Sequence, residues 1–225
     1  MKRGYMVVFC GLDCSGKSTI IDRLYGSDFF SSQDKLMFHP PKEWYEETDI
    51  LSDYNGPKTK LVDKEEVIYT RDIRKKLQQQ ILLGMKNGSN YVFHRYIFSL
   101  YTYYAGSQTV PLPWIDQEMI ELIVPDEVIY LRMGIDEFKK RSSKKPKISF
   151  QQQEGFVERM IACYDNLAEK YNWKVIDTEK YSVEETVEMS KRIIRNIDTE
   201  KPIHTIAGKV ITMDDVVENG GCKNE

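Results

Sequence analysis

The sequence predicts an α/β fold in which a five-stranded parallel sheet carries helices on both faces. Three observations predict it. Five short apolar runs recur along the 225 residues, brief and continuous rather than alternating, as strands buried on both faces require. Helix-period stripes lie between several of them. The first run also leads through closely spaced glycines into a helical pattern, as in a strand–turn–helix crossover unit.

Taken in order, the first strand is Met6 to Cys10, and Ile20, Ile21 and Leu24 give the apolar spacing of the helix after it. Leu36 to Phe38 is the second strand. Residues 39–63 are polar and aromatic, broken by Pro40, Pro41 and Asn55-Gly56-Pro57, and are expected as an irregular excursion on the active-site side. Tyr91 to Phe93 and Val128 to Leu131 supply the third and fourth strands. Phe156, Met160, Cys163, Leu167 and Tyr171 form one helical stripe, with Ser149 and Gln152 expected to cap it. Trp173 to Ile176 is the fifth strand. The last helix starts at Ser182, with Glu185 completing a capping box, and ends in Lys191, Arg192 and Arg195, so its charges complement the helix dipole. After Asp198 the periodicity fades, so residues 1–198 are read as one domain and 199–225 as a peripheral tail.

Composition narrows the function. With 41% hydrophobic and 30% charged residues the chain reads as a soluble globular domain, which excludes collagen-like, coiled-coil and disordered classes. Lys and Arg number 32 against 35 Asp and Glu, and a net charge of −3 supplies no general field for nucleic acid or an anionic bilayer. Any anion must be held locally. The four cysteines, Cys10, Cys14, Cys163 and Cys222, form no CxxC pair and no metal spacing, so a reducing cytoplasm is expected. Gly11 and Asp13 stop the first apolar run short of a leader or a membrane span.

The local anion holder is Gly11-Leu12-Asp13-Cys14-Ser15-Gly16-Lys17-Ser18, which fits GxxxxGK[ST] between a strand and a helix. Gly11 and Gly16 let the backbone wrap phosphates, and N–H groups through Asp13, Cys14 and Ser15 face them at the positive end of a helix. Lys17 is placed for the β- and γ-phosphates, Ser18 for Mg²⁺, and Thr19 for the α-phosphate. ATP and Mg²⁺ are the implied ligands. Cys14 is read as a small loop filler, and Asp13 as a carboxylate that must turn toward a hydroxyl or a cation. A motor-like or non-catalytic nucleotide-binding module is a rival reading, through the basic run Lys139 to Lys147 and the tyrosines. No acidic Walker B strand end is found to serve it, and the overall charge is not positive.

Beyond the loop, Tyr69-Thr70-Arg71-Asp72, Gly88, His94-Arg95-Tyr96-Ile97-Phe98-Ser99, Tyr103-Tyr104, Pro125-Asp126 and Phe156-x-x-Arg159-x-x-x-x-Tyr164 occur in an order that resembles thymidylate kinase. The resemblance implies a P-loop kinase fold with a mobile lid at about 139–150, and transfer of the γ-phosphoryl group of ATP to a deoxynucleoside monophosphate, dTMP first among them. It implies that Arg95 grips the acceptor phosphate, Tyr69 stacks on the base, Tyr103 lies beside the deoxyribose and Asp13 meets the sugar hydroxyl. Arg141 is the expected lid arginine, and a homodimer is the implied assembly. Three positions depart from the family pattern: His94 replaces an aspartate that organises Mg²⁺ waters, Ile73 an arginine at the base, and His39-Pro40-Pro41 the usual Arg-Glu-Pro. Arg71 or Arg74 is then expected to take over at the base. Among phosphates His94 is expected as imidazolium, unable to deprotonate a hydroxyl. That favours a monophosphate acceptor over a deoxynucleoside kinase acting on thymidine.

Overall fold

The computed structural model describes residues 2–30, 34–37, 64–143, 155–213 and 216. Strands β1 (Met6–Cys10), β2 (Asp34–Met37), β3 (Asn90–His94), β4 (Glu127–Arg132) and β5 (Lys174–Asp177) form one sheet in the order β2-β3-β1-β4-β5. Every pairing is parallel.

Burial on both faces is visible strand by strand. Along β1 the side chains of Met6, Val8 and Cys10 enter one core, while Val7 and Phe9 enter the other. The two-residue repeat of a strand divides them in this way. Tyr91 and Phe93 likewise part from Val92, and Val128 and Tyr130 from Ile129 and Leu131. One face is closed by α1 (Lys17–Tyr25) and α7 (Val183–Arg195), whose Ile20, Ile21, Leu24, Val187 and Ile194 fill the smaller core. The larger core lies under α2 (Lys64–Lys86), α3 (Phe98–Ser107), α4 (Leu112–Met119) and α6 (Phe156–Lys170). An eight-residue helix, α5 (Ile135–Ser142), follows β4 with Asp136 and Glu137 in its first turn and Lys139, Lys140 and Arg141 in its last.

Several expectations are refined here. The capping box of α7 is present, Ser182 Oγ accepting from Glu185 N at 3.2 Å and Glu185 Oε2 accepting from Ser182 N at 2.8 Å. Ser149 and Gln152 lie outside the described residues, and α6 opens at Phe156 behind Gly155. Residues 39–63, and residues 144–150 of the expected lid, also lie outside them. The first part of the basic run is the dipole-compensating end of α5. Beyond Asp198, where a peripheral tail is expected, the chain forms a short antiparallel pair, β6 (Ile203–His204) with β7 (Val210–Ile211), and Ile203 and Val216 are buried in the larger core.

β1 lies between β3 and β4, which leave it on opposite sides, so a crevice opens beyond its carboxyl end. The glycine-spaced loop starts there.

Candidate active site

Residues 11–16 join β1 to α1 and need unusual backbone. Gly11 has φ 139°, and a Cβ there would stand 2.5 Å from the Leu131 carbonyl oxygen, so only glycine fits against β4. Gly16 at φ 95° and Cys14 at φ 64° complete the wrap, and Gly16 begins α1 with no side-chain cap. The amide groups at the start of α1 thus have no side-chain competitor for an anion. Lys17 is buried, and its Nζ donates to the carbonyls of Leu12 at 2.6 Å and Gly11 at 3.2 Å. Burial, followed by the charge of Arg95, pushes the Lys17 ammonium down to about 7, with Asp13 opposing. Ser15 is buried, while Ser18 and Thr19 are exposed on the first turn of α1.

The register of β1 on β3 pairs Phe9 with His94, which brings Arg95, just past β3, level with Cys10 at the end of β1 and so beside the loop. Arg95 follows β3 in the left-handed region at φ 70°, its N–H donating to Phe9 O at 3.0 Å. A non-glycine residue held there stores strain, as functional turns often do. Its guanidinium donates to Asp13 Oδ1 at 2.5 Å and to Tyr164 Oη at 3.0 Å. Tyr103 Oη donates to Asp13 Oδ2 at 3.3 Å, and the guanidinium carbon lies 5.7 Å from the Tyr103 ring centre. Asp13 has therefore turned toward a cation and a hydroxyl. Tyr164, part of the family pattern in the sequence but given no role there, is the further member of this network. It occupies a buried position of α6 beside the apolar stripe, and a buried tyrosine needs a partner for its hydroxyl.

In the protein alone, burial, then Lys17, then Arg95, push the His94 imidazole down to about 4, against the pull of its own backbone and of Asp13. Its Nε2 lies 3.3 Å from Ser18 Oγ, and the ring is thus engaged with the phosphate loop. Its engagement with Ser18 and its low proton affinity in the protein alone make the neutral ring a poor base.

At the base-side positions, Arg71 is saturated, donating to Asp72 at 2.8 Å and pairing with Glu118. Arg74 instead lies with its guanidinium carbon 5.0 Å from the Tyr96 ring centre, and no described residue gives it a carboxylate. Tyr69 is on α2, and its side chain lies outside the described set. Arg141 is not joined to the loop: it donates to Glu137 Oε1 at 2.7 Å and to the Thr178 carbonyl at 2.9 Å.

For a divalent ion the chain offers the Ser18 hydroxyl. Among the described residues no group of three or more His, Cys, Asp or Glu could hold a metal by itself. A hard ion that takes most of its ligands from phosphate and water, as Mg²⁺ does, fits such a donor set.

A phosphate-wrapping loop after the central strand of a five-stranded parallel sheet, faced by an arginine at the end of the next strand, defines a nucleotide kinase of the P-loop class. Comparison with known proteins agrees. The thymidylate kinase family model matches residues 9–190. The thymidylate kinase of Homo sapiens is 27% identical over 90% of this chain and 96% of its own. That of Caenorhabditis elegans is 26% identical over 91% and 96%. The solved thymidylate kinase of Candida albicans superposes with a TM-score of 0.69 at 22% identity, covering 93% of this chain and 99% of that one. The chain belongs to the thymidylate kinase family.

Proposed function

We propose that this chain moves the γ-phosphoryl group of ATP onto the 5′-phosphate of dTMP. The bond from the γ-phosphorus to its bridging oxygen breaks, and a bond to an acceptor phosphate oxygen forms. A monophosphate is already an oxyanion near neutral pH, so the site needs no base and works by positioning and charge neutralisation. Lys17 neutralises the donor phosphates, and Arg95 holds the acceptor phosphate across the crevice. Asp13 orients Arg95 and, with Tyr103, faces the sugar. Arg74, stacked and without an acid among the described residues, is the better candidate of the two arginines for the base. Thr19 and Ser15 complete the donor side, and Mg²⁺ would be met by Ser18, supplying charge stabilisation for the phosphates when bound. Arg141 would have to leave Glu137 and Thr178 to act as a lid group.

The observation that carries this reading is the Asp13–Arg95–Tyr164 network, which fixes a guanidinium beside the phosphate loop. ADP release measured with ATP and a panel of nucleosides and nucleoside monophosphates tests it. dTMP should be turned over and thymidine should not; preference for thymidine, or no transfer to any monophosphate, overturns it. Two proposals rest on the family resemblance, a homodimer and a cytoplasmic location, and sedimentation equilibrium tests the first.

A further inference from the structure

The Ser18–His94 pair, on the kinase reading, says more about the metal. Ser18 is the loop hydroxyl placed to meet a nucleotide-bound cation, and the atom facing it is His94 Nε2 at 3.3 Å. Two donors about 2.1 Å from one six-coordinate ion and at right angles stand about 3 Å apart. The observed separation is close to that, so both atoms reach one ion with little movement. The ring is also placed: His94 ends β3 in register with Phe9, beside the loop that leads into α1. With no group of three or more His, Cys, Asp or Glu able to hold a metal among the described residues, a single nitrogen carries much weight in the protein's share of the donors.

We propose that His94 ligates the cation that accompanies the donor nucleotide, and that its nitrogen shifts the site's preference from Mg²⁺ toward divalent ions that accept imidazole, Mn²⁺ and Co²⁺ among them. Mg²⁺ takes oxygen and sheds water reluctantly, whereas imidazole suits later transition ions. A neutral donor also leaves the ion's full charge facing the phosphates, which a carboxylate would partly cancel.

The test uses the full chain with Mn²⁺ and ADP, read by electron spin echo envelope modulation, with ADP retention measured on the same samples by equilibrium dialysis. The unaltered protein should show ¹⁴N coupling from a bound imidazole, absent in His94→Gln and His94→Asp. Competition of Mg²⁺ against Mn²⁺ should show the Mn²⁺-over-Mg²⁺ affinity ratio falling about tenfold in His94→Asp. Retained ADP with no nitrogen coupling overturns this proposal and leaves the kinase reading in place. Failure of the unaltered chain to retain ADP removes the phosphate-loop reading and this proposal with it.

Discussion

At the scale of single residues, charge and its partners decide what each group can do. Lys17 is buried against its own loop's carbonyls, so its removal deletes a positive charge without opening an apolar core. Lys17→Ala should lower kcat by about a thousandfold or more while the circular-dichroism melt stays near that of the unaltered chain. Arg71 and Arg74 divide differently. Arg74→Ala should raise the KM for dTMP about tenfold or more with KM for ATP unchanged, a stacked guanidinium with no acid among the described residues being available to a base. Arg71→Ala should mainly lower stability, because it leaves Asp72 and Glu118 facing each other. Steady-state kinetics of both variants against both substrates checks the split. The loop and Arg95 were legible in the sequence because glycine spacing and a strand-end arginine report backbone position directly. The low proton affinity of the His94 ring was not, since it depends first on burial and then on Lys17, which α1 brings to the ring from another part of the chain, and on the adjacent Arg95.

At the scale of elements, the site is held by how α3 packs on α6, because Tyr103 rides on one and Tyr164 on the other. Gly106 makes the close approach possible: a Cβ there would stand 2.9 Å from Phe156 Cζ and 3.0 Å from Met160 Cγ. Gly106→Ala should therefore destabilise by about 1–3 kcal/mol through overpacking, with helix propensity returning up to about 1. It should also raise the dTMP KM, as the two tyrosines are pushed apart. Urea unfolding and kinetics on one preparation read both. Ser182→Ala on α7 is a contrast: loss of its capping box should cost about 1 kcal/mol and leave kinetics unchanged. The capping box was readable because its signal is local. α3 was not read as a separate helix, because Phe98, Ser99, Tyr101, Thr102, Tyr104 and Gly106 are all buried and no one-sided stripe results. The β6–β7 pair escaped for another reason, its two-residue strands being too short for any period.

At the scale of the molecule, stability and chemistry are held at opposite ends of one sheet. The site lies beyond the carboxyl ends of β1 and β3, whereas the opposite end is fastened by Arg3. That guanidinium makes a two-pronged pair with Asp126 at 2.6 and 3.0 Å and donates to the Lys201 carbonyl at 2.8 Å. Asp126 in turn accepts from Met6 N at 2.8 Å, so the chain's start, the entry to β4 and the segment before β6 meet at one ion pair. Both side chains are buried, 4% and 10% exposed. Removing one partner leaves the other as an uncompensated buried charge, so Arg3→Met should cost about 3–5 kcal/mol. The double change with Asp126→Leu should recover a large part of that loss. Next to the pair, Glu127 has its carboxyl held above the usual range by burial, against the pull of Val128 N–H and Lys174. Its native pKa exceeds the unfolded one, so its contribution to stability is full below the unfolded value near 4.5 and is lost as pH rises through the native value. Glu127→Gln should flatten that decline, seen as a smaller drop in Tm between pH 4 and 7. None of these changes touches the crevice, so each folded variant should keep its KM for ATP and dTMP. A KM that moved with Arg3→Met would mean that strain passes along β1 into the phosphate loop, and that the two ends of the sheet are not independent.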